Sequence, residues 1–196
     1  MNDIFKKIYC INLDFRTDRW EICENFFDKN NLEVERWDAV KGSDAAYAST
    51  LSHYNLVKRA KELNLENVFI FEDDFQFTNY NIDLIKKAFR QLPKDWDVFY
   101  LGYNPFEKLL PYSENLYKIQ GAWTTHAYAI NKRFYDVIID NFVVRMDIIL
   151  ANFQKTHNFY GINPCICIQR NDWSDIDHRF NPNGDIILDS VERFSK

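Results

Sequence analysis

The chain has no apolar run of about 18 residues, the length that a bilayer-spanning helix requires, and no block of lysine or arginine. Its formal net charge is −5 over 196 residues. Proteins that hold a phosphate backbone present basic surface, so this balance argues against a nucleic-acid partner. The opening MNDIFKKIYCINL lacks a long apolar core and a small-residue cleavage site, and so does not read as a secretory signal. A cytoplasmic chain without a transmembrane segment is expected. Cysteine is scarce: there are four, and the pair Cys165 and Cys167 is spaced too closely for a zinc-ligand pair. Reduced, buried thiols are the expectation. No internal repeat, low-complexity tract, linker or Gly-rich phosphate loop is present. The length fits one domain, residues 1–196, able to bury a core without staples.

Aromatic residues are abundant, at 17% of the chain. Most are expected to fill a core. Flat rings also fit sugar faces and nucleobases, which leaves a carbohydrate or nucleotide site open. Apolar runs alternate with helical patterns, which predicts an α/β layered fold. Strands are expected at 7–13, 34–40, from 67, at 96–102, 124–130 and 161–169, with helices between them. Ser49 or Thr50 is the expected cap of the second helix. The polar stretch 103–117 reads as a long loop of the kind that often forms a lid, and the tail from Asn171 reads as loop-rich.

The segment FIFEDDFQF, residues 69–77, ends an apolar strand with three carboxylates. Open α/β sheets place their ligands at strand carboxyl ends. If the chain stays extended, Glu72 and Asp74 point to one side and Asp73 to the other. Two oxygen donors on one side suit Mg²⁺ or Mn²⁺; a solvated turn is the alternative. In INLDFRTDR, residues 11–19, Arg16 and Arg19 could fork onto phosphate, or could belong to a helix-capping turn. Gly121 permits close backbone approach in GAWTTHAYAI, where Thr124 and Thr125 offer small donors. His126 there reads as a structural residue. Asp147 suits a helix start electrostatically, and becomes a general base if that start faces a pocket. In WSDIDHRF, His178 is either solvated or a nitrogen ligand for the same metal.

Taken in order, INLDFRTDRWE, AVKG, LSHYNLVKRA, FIFEDDF, WDVFYLG, GAWTTHAYAI, MDIIL and WSDID resemble glycosyltransferase family 25, over residues 7–178. That family includes bacterial lipooligosaccharide galactosyltransferases and procollagen hydroxylysine galactosyltransferases. The resemblance implies a single GT-A-type (Rossmann-like) α/β domain, with a central, mostly parallel sheet flanked by helices. It implies transfer of a hexose from UDP-galactose or UDP-glucose to a glycan or hydroxylysine-type hydroxyl, with inversion and with Mn²⁺ or Mg²⁺. Under it, Asp74, Glu72 and His178 would hold the metal. Asn12, Leu13, Arg16, Arg19, Asp73, Gly121, Thr124, Thr125, Ser174 and Asp175 would line the nucleotide-sugar site, and Asp147 would be the base. Phe15 stands where family members often carry a further arginine. Two other readings fit clustered carboxylates and aromatics: a metal-dependent nucleotidyltransferase or phosphohydrolase, and a non-catalytic glycan-binding relative.

Overall fold

The computed structural model describes residues 1–143, 145–174 and 179–196. From the N-terminus come β1 (Ile8–Asn12), α1 (Thr17–Lys29), β2 (Glu35–Asp38), α2 (Ala45–Glu62), β3 (Asn67–Glu72), β4 (Phe75–Phe77), α3 (Ile82–Gln91) and β5 (Val98–Tyr100). There follow β6 (Asn104–Pro105), β7 (Leu110–Ser113), β8 (Leu116–Lys118), β9 (Ala122–Trp123), β10 (Ala127–Asn131), α4 (Tyr135–Asp140) and α5 (Met146–Phe153). The chain closes with β11 (Phe159–Ile162), β12 (Cys167–Gln169), β13 (Asp172–Ser174), β14 (Arg179–Asn181) and α6 (Asn183–Phe194).

Eight strands form one sheet in the order β2-β1-β3-β10-β5-β11-β8-β7. Strands β2, β1, β3, β5, β11 and β7 run one way, and β10 and β8 run the other. This is the expected α/β sheet, mostly parallel and flanked by helices. Its centre is β3, where Val68, Phe69, Ile70 and Phe71 are all fully buried. Phe69 and Phe71 pack with Cys23 and Phe27 of α1 and with Ile85 and Ala88 of α3. Val68 and Ile70 point to the opposite face, with Leu56, Val57 and Ala60 of α2 and with Ile149 and Leu150 of α5. Strand alternation thus feeds two cores from one segment, and each buried ring or branched chain contributes about 2–3 kcal/mol.

Three expectations are corrected. Stretch 103–117 is no long loop. It supplies β6 and the edge hairpin β7–β8, which joins the main sheet through β11. Its polar character reflects an edge position, where Pro111 is tolerated beside a register shift. The tail holds a 12-residue helix, α6, in which Ile187 is buried and Val191 and Phe194 pack on the core. Asn171 secures its start by accepting at Oδ1 from the Gly184 N–H at 2.8 Å. Helix α2 is capped by Asp44, which accepts from the Tyr47 N–H at 3.0 Å, so Ser49 and Thr50 lie inside the helix.

Among the described residues no helix is long and apolar enough to cross a membrane.

Candidate active site

A cavity of about 810 Å³ opens where β1 and β3 end, within the size range of small-molecule sites. Strand register explains what meets there. β1 and β3 run parallel with Ile11 opposite Glu72, so Asn12 sits beside Asp73. β10 is antiparallel to β3, so its start lies at the edge where β3 ends, and the Glu72 N–H donates to the His126 carbonyl at 3.0 Å. β12 pairs antiparallel with β4, with Gln169 opposite Phe75, which delivers Gln169 and Arg170 to Asp74. The carboxylates therefore gather partners from β1 and β12, from the residues just before β10, and from helices α1 and α2.

Each carboxylate has a different environment. Glu72 Oε1 meets His53 Nε2 at 3.0 Å and also accepts from the Thr125 hydroxyl. Burial works to raise its pKa, and His53 and Thr125 outweigh that, leaving it below the usual value. Asp73 Oδ2 accepts from Asn12 Nδ2 at 2.6 Å, and Oδ1 accepts from Arg19 Nη1 at 3.0 Å. Burial still raises the Asp73 carboxyl, with the Arg19 charge opposing it. Asp74 Oδ2 accepts from Gln169 Nε2 at 3.0 Å, but its Oδ1 is buried with no partner among the described residues. Burial first, then the Glu72 and Asp73 charges, push Asp74 up to about 8. A carboxyl held neutral only by like charges and burial gives up its proton to a cation, so this orphaned oxygen fits a divalent metal. Asp73, with both oxygens engaged, fits one poorly.

The expected split of the triplet is also corrected: Glu72, Asp73 and Asp74 all line the one cavity. β3 ends at Glu72 and residues 73–74 form a turn, so strand alternation does not extend to them. Of the other candidates, Asn12, Leu13, Arg19, Thr124, Thr125, Asp147 and Ser174 line the cavity, whereas Arg16 and Gly121 do not. Arg16 pairs with Asp18 at 2.8 Å at the start of α1. Gly121 lies under the Phe106–Glu107 turn, where an added Cβ would come within 2.8 Å of the Phe106 ring. Asp175 and His178 lie outside the described residues, and so does any contact they make. Among the described residues, no group of three or more His, Cys, Asp or Glu is arranged to hold a metal ion unaided. A cation here would draw on Asp74 together with ligand oxygens, as Mg²⁺ commonly does.

Several site residues have no role in the sequence reading. His53, buried on α2, bridges Glu72 and the Tyr128 hydroxyl, 2.9 Å from its Nδ1. Its signal is a histidine on the inward face of α2, one turn before the apolar Leu56 and Val57 and two before Ala60. Arg170 donates from its backbone N–H to the Asp74 carbonyl at 2.7 Å and from Nη2 to the Asp73 carbonyl at 2.9 Å. Its Nη1, like Nε of Arg19, is a buried donor with no partner among the described residues. Thr124 has φ 81°, a conformation that costs a β-branched residue on the order of 1–3 kcal/mol. His126 is structural, as expected: it is fully buried with Nε2 3.2 Å from the Cys167 carbonyl. Gly102 leaves room for that ring, since a Cβ there would lie 2.0 Å from Nε2.

No protein-family model matches the sequence. Two curated proteins, each described as a glycosyltransferase 25 family member, are similar to it. The one from Anopheles gambiae is 29% identical over 160 residues, covering 63% of this chain and 26% of that protein. The one from Drosophila pseudoobscura pseudoobscura is 26% identical over 125 residues, covering 48% and 20% respectively. The chain thus spans about a quarter or less of the length of these relatives. The crystal structure of A197 from STIV shares the fold, with a TM-score of 0.56 at 12% identity, covering 88% of this chain and 91% of that one. The chain is thus similar to curated members of glycosyltransferase family 25, the family that its ordered motifs resemble.

Proposed function

We propose that the protein is a glycosyltransferase that moves a hexose from UDP-galactose or UDP-glucose to an acceptor hydroxyl, with Mn²⁺ or Mg²⁺ and with inversion. The observation that carries this reading is the orphaned, buried Oδ1 of Asp74 in a cavity flanked by the spare guanidinium donors of Arg19 and Arg170. Carboxylate and guanidinium side by side suit a metal-bound diphosphate, since one takes the cation and the other the phosphate oxygens. The similarity to family 25 members supports the same class of reaction.

In this reading Asp74 holds the metal, with Glu72 nearby and oriented by His53 and Thr125. When bound, the cation stabilises the charge that grows on the departing diphosphate. Arg19 and Arg170 add donors to the same oxygens without reorganising, because Asp73 and the 73–74 backbone already fix them. Asn12 spends its side chain on Asp73 and on the Arg16 carbonyl, at 3.1 Å, and so shapes the nucleotide loop rather than reading the ligand. Asp147 lines the cavity with Oδ1 accepting its neighbour's N–H at 3.0 Å, and serves as the base that takes the acceptor's proton. Ser174 and Leu13 complete the donor wall.

Incubating the chain with Mn²⁺ and each UDP-sugar in turn, with measurement of UDP release, tests this proposal. Release with UDP-galactose or UDP-glucose that EDTA abolishes is expected. No release from any nucleotide sugar, with or without glycan acceptors, would overturn it in favour of a glycan-binding protein.

A further inference from the structure

We infer that Trp123 and Phe106 form a stacking platform for a pyranose ring, so that the acceptor presents a sugar rather than an extended side chain. The inference rests on the transferase reading for the word acceptor; the sugar-binding platform itself stands apart from it. The two rings lie 4.5 Å apart between centroids, tilted by 30°, and both are exposed, at 37% and 38%. Large rings kept in contact with each other and with water offer an apolar face that a protein interior does not use.

The chain holds this pair in place from three directions. β9 pairs with β6, which sets Trp123 opposite Asn104. Buried Gln154, at the end of α5, grips the backbone of Ala122: its Oε1 accepts from the Ala122 N–H at 2.7 Å and its Nε2 donates to the Ala122 carbonyl at 3.0 Å. Gly121 lets the Phe106 ring lie against the main chain. Trp123 is thereby tied to the helix that carries Asp147, and both residues line the cavity.

The neighbouring Thr124 supplies the polar half of the site. Its left-handed backbone turns the chain directly after the platform, and its hydroxyl is buried without a partner among the described residues. A pyranose has one face of C–H groups and an edge of hydroxyls, which matches an aromatic plane bordered by an unused hydroxyl and a carboxylate.

The test uses the full chain and methyl β-glycosides of galactose, glucose, N-acetylglucosamine and mannose, with binding followed by saturation-transfer NMR in the presence and absence of UDP and Mn²⁺. At least one glycoside is expected to bind, with saturation strongest on its C–H face. Trp123→Ala should weaken that binding about tenfold, Trp123→Phe should restore most of it, and Phe106→Ala should fall between. UDP affinity, measured by calorimetry, should be the same in all variants. Absence of binding by every glycoside, or equal binding by Trp123→Ala, would overturn the platform. So would a Trp123→Ala variant that loses UDP but keeps the glycoside, since that would assign the ring to the base. Trp123-dependent glycoside binding in a chain that fails to bind UDP would support the platform and overturn the transferase reading instead.

Discussion

Asp73 and Asp74 share a turn and a cavity, yet their surroundings give them different uses. Asp73 is neutralised by the chain itself through Asn12 and Arg19, whereas Asp74 keeps a buried oxygen with no partner among the described residues. Replacing Asp74 with Asn keeps shape and an acceptor for Gln169 while removing the ligand charge. It should weaken Mn²⁺-dependent UDP binding by on the order of a hundredfold or more, since even outer-shell changes cost 10–100-fold. The melting temperature should not fall; calorimetry showing wild-type UDP affinity would refute the metal assignment. His126 makes a different prediction, about pH. Burial lowers it to about 4, against an ordinary 6.5, and its Nδ1 has no partner among the described residues to receive a proton. As pH falls below about 6.5 the unfolded chain takes up the proton first, so this group's contribution to stability is lost progressively down to about 4. Urea midpoints measured from pH 7.5 to 4 should therefore fall more steeply for the wild type than for His126→Gln. Parallel curves would show that His126 titrates normally.

At the scale of elements, the site depends on strand directions. A parallel β1–β3 pair and an antiparallel β10 bring two strand ends and one strand start to the same edge. β9 is only two residues long and is held to α5 by Gln154. Gln154→Ala would leave a buried N–H and a buried carbonyl of Ala122 unpaired, at a cost of about 2–4 kcal/mol. Guanidinium denaturation should show that loss; a midpoint within error of wild type would mean the clamp contributes nothing. The central elements were legible from pattern alone. NVFIFE is almost wholly apolar and must be buried on both faces, and IDLIKKAFRQ carries a clear helical stripe. Elements at the periphery were less so. LPYS and LYK pair at an exposed edge, where composition follows solvent rather than the ladder, and α6 begins in Asn-Gly after a proline, letters that also spell a turn.

For the molecule as a whole, a ligand that binds only the folded chain must stabilise it. UDP with Mn²⁺ at about 100 times its dissociation constant adds about 2.7 kcal/mol, a rise of about 5–10 °C in melting temperature for a chain of this size. EDTA should cancel the rise, and a thermal shift assay without any shift would count against the donor site. The sequence by itself determined the sheet's apolar centre, the helices that cover it, and the cluster of carboxylates where its central strand stops, because periodicity and composition are local properties of the chain. Tertiary structure decided which carboxylate is spare. His53 reaches Glu72 from 19 residues away, Arg19 reaches Asp73 from 54, and Gln169 reaches Asp74 from 95. These pairings depend on strand order and register, and the energy of a buried charge is set by the partners that register supplies.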